Sequence, residues 1–327
     1  MEKISMIGFG SWGIALACLL NKNGHEVIMF EPRPELADLL STTRENERSL
    51  PGIIIPESIK ITACPNEGVD AGVLVVALSS KDIPNVMPNL APLLKEGQVL
   101  VNVSKGLIES GQRITEYLKE LAPMCKIACL SGPSHAEEVS RNMPTVVVAA
   151  SPCEETALRL QNLFANESFR VYTSSDIIGV ELGGVLKNVI ALAAGISDGL
   201  GFGDNAKAGL MTRGIAEIAR LGVALGANEY TFAGLSGIGD LIVTCTSKHS
   251  RNWRGGNLLA QGKSAEQVLI EVNMAVEGIN TAKTVLALAK SHGVDMPIVE
   301  EINKILFENK KPLDAVVDLM KRVKKNE

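Results

Sequence analysis

Short runs of Val, Ile and Leu alternate with amphipathic stretches over the first half of the chain. The runs Ile4–Ile7, Glu26–Phe30, Ile59–Thr62, Val73–Ala77, Val99–Val103, Ile127–Leu130 and Thr145–Ala149 read as strands. Several are apolar at nearly every position, as in a strand covered on both faces. Stretches such as Ile14–Asn23 and Ser110–Leu121 place apolar residues at helical spacing between them. Strand and helix in alternation predict a parallel, doubly wound α/β sheet. Beyond residue 176 the period becomes helical, near 177–198, 206–226, 252–261, 265–271, 278–292, 298–308 and 313–324, with no strand among them. The expectation is an α/β domain over 1–176 followed by an all-helical C-terminal domain over 177–327. The basic tail Lys321-Arg322-Val323-Lys324-Lys325 is expected to fray into solvent.

Composition narrows the classes. With 46% apolar and 21% charged residues among 327, the chain carries too much core material to remain disordered. No apolar run reaches the roughly 18 residues that cross a bilayer, so no membrane span is expected. The opening Met1-Glu2-Lys3-Ile4 passes straight into a strand-like run, so no secretion leader is expected. A net charge of −5 argues against a nucleic-acid or membrane-surface binder, but not against a small anion held by local charge. The six cysteines form no Cys-x-x-Cys pair and no zinc-like set with His, so no metal is expected. Most lie in apolar context and read as core residues in a reducing, cytoplasmic compartment.

The first strand runs into Gly8-Phe9-Gly10-Ser11-Trp12-Gly13, and a helix is expected to open at Ile14. The three glycines serve different physical ends. Gly8 permits the tight turn, Gly10 lets the backbone approach a pyrophosphate closely, and Gly13 lets helix and strand pack closely. The helix N-terminus adds free N–H groups and a positive dipole end. Its place between strand and helix makes this G-x-G-x-x-G a Rossmann-type dinucleotide turn. The second strand ends at Glu31, 18 residues past Gly13, near where an acid accepts from a ribose 2′-hydroxyl. A carboxylate there repels a 2′-phosphate and favours NAD(H). Arg33 could swing toward a 2′-phosphate and admit NADP(H). A solvated Glu and Arg in a turn is the alternative.

The second half carries candidate chemistry. From Glu181 to Gly195 one helix is apolar almost all round, which predicts burial, and only Lys187 and Asn188 interrupt it. A buried amine normally loses its charge unless paired, and a desolvated lysine suits acid/base work near neutral pH. A lysine snorkelling to solvent is the alternative. Lys105 follows the strand 99–103 at the carboxyl end, where ligands bind in such sheets. In Gly132-Pro133-Ser134 another strand ends, and Ser134 is expected to cap a helix whose N–H groups could hold an anion or a carbonyl oxygen; capping alone is the alternative. Asp240 sits in apolar company, which predicts a partnered carboxylate. Ser250-Arg251-Asn252 then gathers a hydroxyl, a guanidinium fork and an amide before a helix, the composition of a phosphate pocket. A solvated basic turn is the alternative, and Trp253 reads as packing.

These residues resemble the NAD(P)-dependent glycerol-3-phosphate dehydrogenase family of the bacterial type, over nearly the whole chain. The resemblance is carried by Gly8–Gly13, Leu50-Pro51-Gly52, Ser104-Lys105-Gly106, Gly132-Pro133-Ser134 through Glu138, Glu181 to Asp198, Lys207 to Leu221, Gly237-Ile238-Gly239-Asp240, Ser250-Arg251-Asn252 and Val276-Glu277-Gly278. It implies a reversible reduction of dihydroxyacetone phosphate to sn-glycerol 3-phosphate that feeds glycerophospholipid synthesis. It implies Lys187 as the general acid/base, with Lys105 adding positive charge and Asp240 orienting a lysine or a substrate hydroxyl. Lys105, Gly132, Ser134, Lys187, Asp240, Ser250, Arg251 and Asn252 would surround the phosphorylated substrate. Ser11, Trp12, Arg33, Lys105, Ala136, Arg251, Ala275 and Glu277 would face the cofactor. A homodimer through helical surfaces is expected from the family alone.

Two rivals stay open at this point. A ketopantoate or 3-hydroxyacid reductase shares the two-domain layout but has no need of the Ser250-Arg251-Asn252 cluster. A nucleotide sensor without turnover has no need of an acid/base at Lys187.

Overall fold

The computed structural model of the protein describes residues 1–324 and Asn326. The chain divides into two compact units, Met1–Glu181 and Leu182–Glu327. In the first unit eight strands form one sheet: β1 (Lys3–Ile7), β2 (Glu26–Phe30), β3 (Lys60–Thr62), β4 (Val73–Val76), β5 (Val99–Asn102), β6 (Lys126–Ser131), β7 (Thr145–Ala150) and β8 (Phe169–Ser174). Their order is β3-β2-β1-β4-β5-β6-β7-β8. From β3 to β6 every pairing is parallel, with Ile4 opposite Val27 on one side and Val73 on the other. The strand order reverses between β1 and β4, the switch point where open α/β sheets bind ligands.

Helices α1 (Ser11–Lys22), α2 (Pro34–Thr43), α3 (Pro65–Gly68), α4 (Ile83–Leu90), α5 (Ile114–Leu121), α6 (Ala136–Val139) and α7 (Glu154–Phe164) complete this unit. Alternate strand residues enter different cores. Ile4, Met6, Val73 and Val75 pack with Leu16, Leu20, Leu160 and Phe164 on one face. Ile7, Leu74, Val76 and Leu100 pack with Ile83, Met87 and Leu118 on the other. Both faces are therefore covered, which is why these strands are apolar at nearly every position.

Three expectations for this unit change. β7 runs antiparallel to β6, then pairs parallel with β8. The β6–β7 connection carries only the four-residue α6, and β7 lies directly beside β6, so the chain turns back along its neighbour. β8 was not expected: it lies at the sheet edge and alternates buried Phe169 and Val171 with exposed Arg170 and Tyr172. α1 begins at Ser11, before the expected Ile14, with Gly10 as its N-cap.

α8 (Ile177–Gly199) starts in the first unit and continues in the second. It is followed by α9 (Asp204–Ala224), α10 (Asp240–Thr246), α11 (Arg251–Ala260), α12 (Ala265–Val272), α13 (Glu277–Ser291), α14 (Pro297–Phe307) and α15 (Pro312–Met320). Contrary to the expectation that no apolar run reaches membrane length, α8 has 23 residues and contains an 18-residue window with a mean hydropathy of 1.7. Its apolar window is 94% buried inside the protein, so α8 is a core helix. α8 and α11 cross with their backbones in contact: a Cβ on Gly195 would strike the Trp253 carbonyl, and one on Gly256 the Leu192 carbonyl. α15 ends at Met320, short of the expected 324. The tail from Lys321 to Lys324 is exposed, but Arg322 is tethered to Asp295 at 2.7 Å. Lys325 lies outside the described residues.

Candidate active site

The glycine turn after β1 has the shape its sequence requires. Gly8 has φ +116°, and a Cβ on it would lie 2.8 Å from the Ala77 carbonyl oxygen. A Cβ on Gly13 would lie 2.7 Å from the Gly8 carbonyl oxygen, whereas one on Gly10 would meet only Ala77 O, at 4.0 Å. The turn is therefore tight at its two ends and open at its centre, the cradle that a pyrophosphate needs. Asn46 braces it by donating Nδ2 to the Phe9 carbonyl at 3.0 Å. The first N–H groups of α1, at Ser11, Trp12 and Gly13, have no acceptor within their own helix. The Trp12 indole N–H is buried with no hydrogen-bond partner among the described residues. These residues fit a dinucleotide.

Glu31, just past β2, is buried, and its carboxylate faces Arg33. Arg33 donates from Nε at 2.6 Å, from Nη2 at 3.0 Å and from its backbone N–H at 3.1 Å. Both oxygens expected to meet a ribose are thus bonded by the neighbouring side chain, which is itself exposed. The Glu31 hydrogen bonds raise the Arg33 guanidinium still further above its ordinary range.

Lys105 stands beyond β5, and its Nζ donates to the Gly132 carbonyl at 2.9 Å and to Ser134 Oγ at 3.5 Å. Ser134 Oγ donates to the same carbonyl at 2.8 Å. The expected cap is corrected here: His135 is the N-cap of α6, and Ser134 instead closes its own turn. Ala136, the first residue of α6, is buried. One brace of this region was missed in the sequence. Asn102 accepts from the Ser104 N–H at 3.0 Å and donates to the buried Glu181 carboxylate at 2.9 Å. Thr115 also donates to Glu181, and Arg113 pairs with it at 3.2 Å. Burial pushes the Glu181 carboxyl up against the opposing pull of Arg113 and Thr115. The signal was an acid and an amide in otherwise apolar runs; their pairing spans 79 residues and had no local trace.

In the second unit Lys187 is buried on α8, and its Nζ donates to Asp240 Oδ1 at 2.5 Å and to Thr244 Oγ1 at 2.6 Å. Asp240 and Thr244 are one helical turn apart on α10, and the Thr244 hydroxyl also bonds the Asp240 carbonyl at 2.6 Å. Asp240 thus has the partner its apolar surroundings required. Thr244 was not singled out, although its i+4 spacing from an expected buried acid was the available signal. Asn188 accepts from Asn252 Nδ2 at 2.9 Å, and Asn252 Oδ1 accepts from the Gly278 N–H at 2.8 Å. This ties α8, the first turn of α11 and the first turn of α13 together. Ser250 is the N-cap of α11, accepting from the Trp253 N–H at 3.1 Å. Arg251 is half-buried in that turn, with no ion pair among the described residues. Glu277 is half-buried at the start of α13, and Ala275, just before it, is exposed.

A glycine cradle at the switch point of a parallel sheet, and a buried lysine–carboxylate pair within a helical unit, define the class: a dinucleotide-dependent dehydrogenase. The N-terminal signature described as NAD-dependent glycerol-3-phosphate dehydrogenase N-terminus matches residues 3–157, and the corresponding C-terminus signature matches residues 176–317. The chain belongs to the NAD-dependent glycerol-3-phosphate dehydrogenase family. It is 54% identical to the glycerol-3-phosphate dehydrogenase (NAD(P)+) of Fusobacterium nucleatum subsp. nucleatum, covering 100% of this chain and 99% of that one. Against the enzyme of the same name from Bacillus subtilis (strain 168) the identity is 50%, over 100% and 96% of the two chains. The crystal structure of glycerol-3-phosphate dehydrogenase from Coxiella burnetii superposes with a TM-score of 0.94 at 34% identity, over 98% of this chain and 99% of that one.

Proposed function

We infer that the protein interconverts dihydroxyacetone phosphate and sn-glycerol 3-phosphate with NAD(H) or NADP(H), as a cytoplasmic step toward glycerophospholipids. The observation that carries this within the family is the buried Lys187, held by Asp240 and Thr244 in an apolar helix. Residues 1–176 serve as the dinucleotide-binding domain and residues 177–327 as the substrate and catalytic domain. A homodimer is the expected assembly.

The nicotinamide, when bound, supplies or accepts the hydride. The backbone of Gly8, Gly10 and Gly13, with the N–H groups of Ser11 and Trp12, receives the pyrophosphate. Glu31 and Arg33 face the adenosine ribose, and Ala136, Ala275 and Glu277 complete the cofactor contacts. Arg251 anchors the substrate phosphate with its fork of N–H donors, beside Ser250 and Asn252. That anchoring orients the carbonyl for attack, which is where binding energy is best spent. Lys187 donates a proton from Nζ to the developing alkoxide in reduction and takes it back in oxidation. Asp240 supplies the countercharge that a buried ammonium requires and fixes its direction. Lys105 brings a second positive charge to the carbonyl oxygen, oriented by Gly132 and Ser134.

The test is direct. The purified protein is mixed with NADH and dihydroxyacetone phosphate, and absorbance is followed. Consumption dependent on the phosphorylated ketone supports the reading. Consumption only with ketopantoate or a 3-oxoacid, or none with any ketone, overturns it.

A further inference from the structure

Asp198 lies at the end of α8, where that helix crosses α11 with backbones in contact. Its Oδ2 accepts two hydrogen bonds: from the Trp253 indole Nε1 at 2.7 Å and from Lys207 Nζ at 2.7 Å. The Asp198 and Lys207 side chains are mostly buried, 17% and 20% exposed. Trp253 is therefore more than packing. Its backbone N–H binds the Ser250 cap and its indole N–H binds Asp198, so one residue is pinned at both ends. Asn252, beside it, is pinned to Asn188 and Gly278. Arg251 is the half-buried arginine of this turn, and its guanidinium has no hydrogen bond or ion pair among the described residues; Arg254, likewise without one, is exposed. The half-buried Arg251 guanidinium thus lies between the capping Ser250 and the pinned Asn252.

A second observation places this pair near the buried lysine. The Cys245 thiol, pushed up to about 12 by burial, feels the charges of Lys187, Lys207, Asp198 and Asp240 together. The charges of both lysine–carboxylate pairs thus act on one thiol. Lys207 cancels the charge of Asp198, so the carboxylate can hold the indole without presenting a net negative charge to an approaching phosphate.

We propose that Asp198, through Trp253, is a positioning residue that holds Arg251 for the substrate phosphate and so sets selectivity for phosphorylated over unphosphorylated ketones. This rests on the reading of Arg251 as the phosphate anchor. Asp198 and Trp253 act through the geometry of the first turn of α11 and touch neither substrate nor cofactor. Loss of either side of the bond frees the turn. The effect falls on phosphate binding and leaves proton transfer at Lys187 intact.

The test uses W253F, D198A and D198N in the full-length protein. KM and kcat for dihydroxyacetone phosphate are measured at saturating NADH, residual turnover of dihydroxyacetone is measured beside them, and the dissociation constants of NADH and inorganic phosphate are obtained by calorimetry. W253F and D198A should raise KM and weaken phosphate binding about tenfold each, the loss of one charge-assisted hydrogen bond. Changes in kcat, NADH affinity and dihydroxyacetone turnover should stay within about twofold on the same scale. D198N keeps an acceptor for the indole and should fall between wild type and D198A. If D198A does not fold, W253F decides, since it removes the donor while keeping an aromatic ring in place. KM and phosphate affinity unchanged in a folded W253F would overturn the proposal, as would a fall in kcat with KM unchanged. A wild type that binds no phosphate overturns it too. A wild type that binds phosphate but does not reduce dihydroxyacetone phosphate overturns the assigned reaction instead, and the phosphate titrations of the variants still decide the role of Asp198.

Discussion

Lys187 and Asp240 meet at 2.5 Å across two helices, each nearly inaccessible to solvent. An ion pair taken out of water is costly to form and more costly to break, because removing one partner leaves the other charge buried and alone. Its geometry is completed by Thr244, which bonds the ammonium and the backbone of Asp240 together. Such a pair is weak evidence for stability and better evidence for a positioned proton donor.

Two consequences separate fold from chemistry. Asp240→Ala should destabilise the protein by about 3–5 kcal/mol, read as a shift in the urea midpoint. The double variant Lys187→Met with Asp240→Leu should recover most of that loss, since a packed apolar pair is often as stable as a buried ionic one. It should remain inactive, with kcat down by at least about 10²–10⁴-fold. A double variant that regains turnover along with stability would show that Lys187 is structural.

Arg251→Ala should raise KM for dihydroxyacetone phosphate by about tenfold to a hundredfold, the worth of a charge-assisted phosphate contact of roughly 1.5–3 kcal/mol. Residual reduction of unphosphorylated dihydroxyacetone should hardly change. Equal loss with both substrates would place Arg251 in the fold or the cofactor site.

How much of this was readable beforehand depends on how local each feature is. The turn Gly8–Gly13 was legible because the positive φ of Gly8 and the approach of Gly13 to the Gly8 carbonyl are set within one strand–helix junction, although Gly8 also meets Ala77 beyond β4. Burial of α8 was legible from its apolar circumference, yet the same property made its membrane-length hydropathy easy to overlook. Asp240 could be expected to have a partner, but the partner lies 53 residues away. β8 escaped because an edge strand with one wet face carries Arg170 and Tyr172 where a central strand carries Val. α10 escaped because glycines crowd the wide π-type turn Leu235–Gly239 that leads into it. The reversal of β7 has no signature within the strand itself.

Cofactor choice turns on Glu31 and Arg33, which hold each other. NADH should be preferred, with NADPH usable, because Glu31 engages the Arg33 guanidinium that a 2′-phosphate would need. Glu31→Ser releases Arg33 and should shift the ratio of kcat/KM toward NADPH. Arg33→Ala should weaken NADPH by about tenfold or more, since a guanidinium–phosphate bond is worth roughly 1.5–3 kcal/mol, and NADH much less. Steady-state kinetics with both cofactors at fixed dihydroxyacetone phosphate make the comparison. A wild type that strongly prefers NADPH would mean that Arg33 leaves Glu31 when the cofactor binds.

Away from the site, Glu217 gives the protein a pH dependence of its own. It is buried on α9 and caps the start of α14 from another helix, accepting from the Ile298 N–H at 2.9 Å and the Val299 N–H at 3.3 Å. Burial pushes its carboxyl up from 4.5 to about 7, opposed by those two N–H groups and by Arg220, and reinforced by Asp295. Between pH 4.5 and 7 the folded protein therefore holds a proton that the unfolded chain has released. Stability from this group is complete below pH 4.5, falls as pH rises, and is lost above about 7. The full swing is on the order of 3 kcal/mol. Glu217→Gln keeps an acceptor for the helix start and removes the titration. Urea unfolding of wild type and variant at pH 5 and pH 8 should show the variant gaining on the wild type as pH rises, by up to about 3 kcal/mol. A difference between the two proteins that is the same at both pH values would mean that Glu217 stays ionised in the fold, held by the two N–H groups and Arg220 more firmly than its burial opposes.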